Sequence, residues 1–270
     1  MVVPIGDVNP TSRRSFVMGT IALINIAVFV LVQLPLEGCD QLVFLYRWSV
    51  IPAELLRLSP LDPGQLTDLL GECAADVQTK NVPLSLITSL FLHGGLAHLV
   101  GNMIFLIVFG DNVEDRLGHV RFTVFYLVGG VLATLSFAMF NPGSIVPLVG
   151  ASGSVAAILG AYLLCYPRAR VMTLVAFPLY LLALVLPGVR IRRFLVIVAV
   201  VGMPAWLLLG GWFLLQAYAA GTPMDQQVAY EAHVGGFVAG ILLLLLLDMR
   251  RQRRGRPTFH PPRQGRQRPQ

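Results

Sequence analysis

The sequence predicts an all-α polytopic membrane protein with six transmembrane helices. Of its 270 residues, 56% are hydrophobic and only 13% are charged, whereas a soluble domain carries about 25% charged residues. The mean hydropathy of +0.72 agrees, and the apolar residues form long runs of the kind that cross a bilayer. These observations exclude a disordered chain and disfavour a soluble globular enzyme.

Six apolar runs with few or no charged residues give the predicted spans. They lie at about residues 15–34, 96–110, 122–140, 152–166, 195–215 and 232–247. The first run is longer than the apolar part of a signal peptide, and no clear cleavage site follows it, so we expect a retained helix. The predicted membrane domain covers residues 15–249 and includes a long outer loop at about 35–83.

The few charged residues orient these helices. Eight of the twenty basic residues lie between Arg250 and Arg268, and most of the other arginines lie near alternate ends of the runs, with seven acidic and three basic residues in the outer loop. By the positive-inside rule both termini are cytoplasmic, with residues 1–14 as a short segment and residues 250–270 as a basic, disordered tail. The net charge of +6 therefore indicates a lipid-facing anchor, and no nucleic-acid partner is expected because no such motif is present.

Residues 171–189 form a further apolar run that fits a span poorly. Arginines flank the run on both sides, and Pro178 and Pro187 interrupt it. A re-entrant or interfacial segment is favoured over a seventh span, because a seventh span would place the basic tail outside.

Among the polar side chains within the predicted spans, where such groups are costly and are functional candidates, four stand out. They are Ser152, His233, His98 and Asn102. Counted from the cytoplasmic helix ends at about 1.5 Å per residue, the first three lie about 20 to 24 Å up, and Asn102 lies about one turn deeper. A hydroxyl, two imidazoles and a carboxamide thus share one region of the membrane.

These groups match the requirements of nucleophilic catalysis. A serine needs a base, and imidazole is suited to that role near neutral pH, so Ser152 is the predicted nucleophile and His233 the general base. His98 and Asn102 can donate hydrogen bonds to an oxyanion. No carboxylate lies at this depth, which favours a Ser–His dyad over a triad. The spacing of His93 and His98 does not match a zinc motif, and no metal or cofactor is expected.

Glycines accompany the reactive residues. Gly150 and Gly153 flank the serine and leave it little steric cover. Gly236 and Gly240 form a stripe of small residues on the helix of the histidine, and such stripes let membrane helices approach closely. If the stripe faces the helix of the serine, the serine and the histidine can come within hydrogen-bond reach.

These motifs resemble those of rhomboid intramembrane serine proteases. The matching residues are His93-x4-His98-x3-Asn102, Gly150-Ala151-Ser152-Gly153 and Ala232-His233-x2-Gly236-x3-Gly240. The resemblance covers about residues 83–247, including a similar segment at 113–118. It implies a six-helix bundle with a water-filled cavity open to the outer side, in a bacterial plasma membrane. It also implies single-pass membrane proteins as substrates, cut in or near their transmembrane segment.

The sequence departs from the family pattern one turn after the nucleophile. Some members carry an aromatic residue there that stacks on the histidine, whereas this chain has Ala156. The orientation of His233 is then left to another group, either Tyr230 or Tyr162. An inactive relative that binds or escorts membrane clients is the alternative function. A transporter ranks last, because no clear inverted repeat is visible.

Three features outside the reactive set are assigned structural roles. Cys39 and Cys73 share the outer loop, where a disulfide can form, although their spacing does not establish one. Glu114 is expected to pair with a nearby arginine or to bond loop backbone. His93 is expected to be a structural hydrogen-bonding residue near the outer interface.

Overall fold

Helices dominate the fold, as the sequence predicts. The computed structural model describes residues 2–77, 79–178, 196–222 and 228–254. In chain order the helices are α1 (Phe16–Ala27), α2 (Gly38–Trp48), α3 (Pro52–Arg57), α4 (Pro63–Leu70), α5 (Val82–Thr88), α6 (Leu96–Leu117), α7 (His119–Phe140), α8 (Ser152–Cys165), α9 (Ala205–Ala220) and α10 (Tyr230–Arg254). A π-helical segment, Val28–Gln33, continues α1.

The long apolar helices correspond to the predicted spans. Within the described residues, four helices are long and apolar enough to cross a membrane: Phe16–Gln33, α6, α7 and the Tyr230–Leu247 part of α10. The helices α8 and α9 are apolar but shorter, and they occupy the positions of the predicted fourth and fifth spans. The predicted fold class, a helical membrane bundle, is therefore confirmed. Helix α10 runs to Arg254, past the predicted start of the tail at residue 250, and residues 255–270 lie outside the described residues.

Helix α8 lies at the centre of the bundle. Residues 153–162 are all buried, and the helix packs against α6, α7 and α10. Its small residues allow this close packing, because a methyl group added at Gly129 of α7 would lie only 2.7 Å from the Ala157 Cβ. The residue that opens α8, Ser152, is thus fixed by the most enclosed helix of the protein.

A three-stranded antiparallel sheet was not predicted. Its strands are β1 (Val2–Asp7), β2 (Arg170–Pro178) and β3 (Val196–Pro204), with β2 in the middle. The predicted fifth span at 195–215 was therefore wrong in its first half, since the helix begins only at Ala205. Valines and isoleucines fill β3, and such β-branched residues favour a strand once a partner strand is available.

The run at residues 171–189, predicted to be re-entrant or interfacial, begins with β2. The remainder of that run, residues 179–189, lies outside the described residues. Because β2 pairs with both β1 and β3, the N-terminal segment is joined to the link between α8 and α9. This sheet connects directly to α9, since Pro204 ends β3 and Ala205 begins the helix.

Glu114 holds the start of α1 against α6. The backbone N–H groups of Val17 and Met18 donate to its carboxylate at 3.0 and 2.7 Å, and the His119 Nδ1 lies 2.6 Å from it. The first N–H groups of a helix have no partner within the helix and favour negative charge. The structural role expected for Glu114 therefore includes capping the first turn of α1.

The predicted outer loop at about 35–83 is itself folded and contains α2, α3, α4 and the start of α5. A disulfide joins Cys39 to Cys73, with their Cα atoms 5.2 Å apart. The Lys80 Nζ lies 2.5 Å from the Glu54 carboxylate, and both side chains are fully buried. Tyr46 donates to the same carboxylate at 2.8 Å. These contacts give residues 35–83, which we call the outer region, a core of their own.

Candidate active site

All four predicted reactive side chains line one cavity of about 800 Å³, which we call the polar cavity. Ser152 of α8, His233 of α10, and His98 and Asn102 of α6 contribute to its wall. The apolar part of the wall includes Ala156 of α8 and Trp212 of α9. The cavity thus collects a hydroxyl, two imidazoles and a carboxamide from three helices, with a fourth helix closing one side.

The backbone before Ser152 requires glycine. Gly150 has φ 125°, a conformation that L side chains rarely adopt. A Cβ at this position would also lie 2.7 and 2.9 Å from the Cε1 and Nε2 atoms of His98. Ser152 is the first residue of α8, and the first N–H groups of a helix have no partner within it and attract negative charge. The serine therefore sits beside a set of free backbone donors.

Asn102 lines the polar cavity and carries a buried, unpartnered donor. It lies one turn after His98, so the two side chains share a face of α6. Asn102 is only 7% exposed, and within the described residues its Nδ2 has no hydrogen-bond partner. Buried amide groups are normally bonded, and an orphaned donor in a cavity requires an explanation. An acceptor that arrives with a ligand would satisfy it.

His93 supports the outer end of this arrangement. Its backbone N–H donates to Gln33 Oε1 at 3.0 Å, and its carbonyl accepts from Gln33 Nε2 at 2.9 Å. Its ring meets the His98 ring edge-on, with 5.2 Å between centroids. Burial, with the nearby His98, lowers the pKa of His93 to about 3. This ring is therefore neutral at physiological pH and packs against His98 as a neutral group.

The ring of His233 contacts α9. Its Nδ1 lies 2.6 Å from Gln216 Oε1, and its centroid lies 5.9 Å from that of Trp212. Of the two tyrosines expected to orient this ring, Tyr162 instead donates to Asp7 of β1. The expectation for Tyr162 was therefore wrong, because β1 occupies the end of α8 that carries it.

Sequence reasoning missed Gln216. No motif contains it, yet it is the only amide or charged side chain in α9. A polar side chain in an apolar membrane helix is costly and is a functional candidate by default. Applied to α9 as it was applied to α6, that criterion would have found Gln216.

Ser152 and His233 share the polar cavity without bonding one another directly. Among the described residues, the hydrogen bond of the His233 ring goes to Gln216. Catalytic hydrogen bonds are often long or poorly aligned without substrate and shorten in the complex. A direct hydrogen bond between Ser152 and His233 is therefore a proposal about the reacting state.

The glycine stripe of α10 faces α8. A Cβ at Gly236 would overlap the carbonyl oxygen of Gly153 and lie 3.2 Å from the Ala133 Cβ. A Cβ at Gly240 would overlap the backbone of Ala157. The two helices therefore meet backbone to backbone, and this contact brings the helix of His233 against the helix of Ser152.

The outer region shapes the wall of the polar cavity near Ser152. Leu148 and Val50 exchange two backbone hydrogen bonds of 2.7 and 3.2 Å, and the Ala53 N–H donates to the Ser144 carbonyl at 3.1 Å. Pro147, Leu148 and Val149 line the cavity. The outer region thus holds the chain that leads into the serine.

The fold and the cavity define a helical membrane protein with a polar site inside its bundle. The Rhomboid domain model matches residues 80–250, and the chain therefore belongs to the rhomboid family.

Curated relatives agree with the family assignment. RHOMBOID-like protein 6, mitochondrial, of Arabidopsis thaliana is 29% identical over 57% of this chain and 52% of its own length. Rhomboid-related protein 2 of Mus musculus is 30% identical over 67% of this chain and 52% of its own. RHOMBOID-like protein 1 of Arabidopsis thaliana is 34% identical over 55% and 38%. The chain spans about half the length of these relatives, or less.

Proposed function

We propose that this protein is an intramembrane serine endopeptidase that cleaves single-pass membrane proteins in or near their transmembrane segment. One observation supports this function above the others: Asn102, whose buried Nδ2 has no partner among the described residues, lines the same cavity as Ser152 and His233. A buried donor beside a serine and an imidazole suits an oxyanion that exists only during reaction.

In the proposed mechanism, Ser152 Oγ attacks the carbonyl carbon of the scissile peptide bond while its proton passes to Nε2 of His233. The carbonyl oxygen becomes an oxyanion, which accepts hydrogen bonds from Asn102 Nδ2, the His98 ring and the Ser152 N–H. His233 then protonates the leaving amine and an acyl-serine ester remains. Water, deprotonated by the same imidazole, hydrolyses the ester and regenerates the serine hydroxyl.

The substrate must expose an unwound peptide bond. In a membrane helix each peptide bond is shielded by its own hydrogen bonds. A volume of about 800 Å³ is of the size of small-molecule pockets, so it accommodates a few extended residues rather than an intact helix. The proposed substrates are therefore membrane segments that unwind readily, with the lipid bilayer as the other partner.

We also propose that the site opens toward the outer side of a bacterial plasma membrane and that both termini are cytoplasmic. The positive-inside pattern supports this orientation, and so does the Cys39–Cys73 disulfide, since disulfides persist on an oxidising side. A reporter protein fused after Gln270 should be located in the cytoplasm. A reporter located outside the cell would contradict the orientation.

A cleavage assay tests the proposed activity. Purified wild type, Ser152→Ala and His233→Ala proteins are compared in liposomes that contain a model single-pass substrate. We expect cleavage by the wild type only. Equal cleavage by Ser152→Ala would contradict the mechanism. A wild type that binds the substrate without cutting it would favour the client-binding alternative.

A further inference from the structure

We propose that Gln216 is a positioning residue for the catalytic base, so that the dyad is in effect a Ser152–His233–Gln216 triad. This inference depends on the proposed protease function. Gln216 Oε1 lies 2.6 Å from His233 Nδ1, a distance typical of a strong hydrogen bond. The residue touches neither substrate nor the reacting atoms and acts through the imidazole.

Aromatic packing fixes the register that makes this contact. The Phe213 ring of α9 stacks on the Phe237 ring of α10, with 4.6 Å between centroids. The Trp212 ring lies 6.2 Å from Phe237 and 5.9 Å from His233. Gln216 follows Trp212 by one helical turn, and His233 precedes Phe237 by one turn, so the two antiparallel helices bring amide and imidazole together.

The orientation of the Gln216 amide determines which imidazole tautomer it can bind. With Oε1 of Gln216 facing the ring, as in this structure, the amide can only accept a hydrogen bond, and the matching form of His233 carries its proton on Nδ1. Nε2 is then left with a lone pair, which is the form that can remove the proton from Ser152. The opposite tautomer would present an N–H to the serine and could not act as a base. Gln216 therefore selects the reactive form and holds the ring in place.

A neutral amide suits this position. Cysteine proteases of the papain type orient their catalytic histidine with an asparagine, so a carboxylate is not required for this task. An ionised carboxylate in a membrane span costs more than an amide. Because Gln216 belongs to α9, the base is correctly oriented only while α9 packs against α10.

The decisive comparison is between Gln216→Leu, Gln216→Glu and the neighbouring control Leu215→Ala. Leu215 is 67% exposed on α9. We expect Gln216→Leu to lower kcat about tenfold or more with little change in KM, by analogy with metal-bound histidines, where loss of the orienting group typically costs about 10- to 100-fold. Gln216→Glu, which can also accept from Nδ1–H, should restore most of kcat.

A spectroscopic measurement separates this role from a structural one. The chain has five histidines, so 15N-histidine NMR in detergent, with His233→Ala for assignment, can report each ring nitrogen of His233. We expect a protonated Nδ1 and an unprotonated Nε2 in the wild type, and a mixture of tautomers in Gln216→Leu.

The outcomes distinguish this inference from the proposed function. A wild type that fails to cleave any substrate would refute the protease function, whatever Gln216 does. A wild type that cleaves, together with a Gln216→Leu protein of unchanged kcat, would refute only the role of Gln216. A wild-type His233 protonated on Nε2 would refute it as well.

Discussion

The two sides of the polar cavity are held in place in different ways. On the α8 side, residues 153–162 are all buried, and glycines let the backbones of α8 and α10 touch. On the α9 side, buried positions are few, and Leu214 and Leu215 are 68% and 67% exposed. The comparison indicates that the proposed nucleophile, Ser152, is held by a tightly packed part of the bundle. Gln216, the proposed positioning residue of His233, belongs to a more peripheral helix.

The largest effect is expected from a substitution that separates α10 from α8. Gly240→Val would place a side chain in the backbone of Ala157, and α10 would have to move away from α8. We expect cleavage to be abolished while membrane insertion persists, since overpacking costs about 1–3 kcal/mol and does not remove the apolar span. Substrate cleavage and membrane fractionation measure the two properties, and Leu242→Val on an exposed face of the same helix is the control. Wild-type cleavage by Gly240→Val would contradict the backbone contact.

A smaller loss is expected when one hydrogen-bond donor on α6 is removed. Asn102→Ala deletes the unpartnered Nδ2 and should lower kcat about a hundredfold, as expected for one oxyanion donor. Because the oxyanion forms only during reaction, KM should change little. Steady-state kinetics in liposomes give both values. A change confined to KM would assign Asn102 to substrate binding instead.

A moderate effect is expected from the register of α9. Phe213→Ala removes the ring stacked on Phe237 without touching the polar cavity or its reactive groups. Gln216 should then bond His233 less often, and kcat should fall toward the value of Gln216→Leu, about tenfold below wild type. The same kinetic assay applies. An unchanged kcat would show that another contact sets the register of α9.

The smallest effect is expected on the exposed face of α9. Leu214→Ala removes a side chain that is 68% exposed, and exposed substitutions usually change stability by less than about 0.5 kcal/mol. We expect kcat within about twofold of wild type, because so small a change in stability leaves the protein folded and the substitution removes no group of the polar cavity. A loss as large as that of Phe213→Ala would mean that both faces of α9 carry the site.

The sequence predicted those features that depend on one residue or on one continuous run of the chain. Long apolar runs located the membrane helices, and polar groups inside them identified Ser152, His233, His98 and Asn102, whose catalytic roles stay predictions. The folded outer region was beyond this reasoning, because it depends on tertiary contacts such as the Lys80–Glu54 pair.

The sheet and Gln216 were missed for separate reasons. An apolar run of valines is compatible with a membrane helix or a buried strand, and pairing between β2 and β3 decides for the strand. Gln216 is recognisable in the sequence of α9 as a polar side chain, but its partner follows only from the register of α9 and α10, which the stack of Phe213 on Phe237 sets. Neither pairing leaves a pattern within one segment of the chain.

Covalent labelling of Ser152 tests the central claim most directly, because it requires an activated serine but no knowledge of the natural substrate. Wild type, His233→Ala and Ser152→Ala proteins are treated with a fluorophosphonate probe, and the modified residue is located by mass spectrometry. We expect Ser152 to be labelled in the wild type, much more slowly in His233→Ala, and not at all in Ser152→Ala. Equal labelling rates in wild type and His233→Ala, or a label on another residue, would contradict the account.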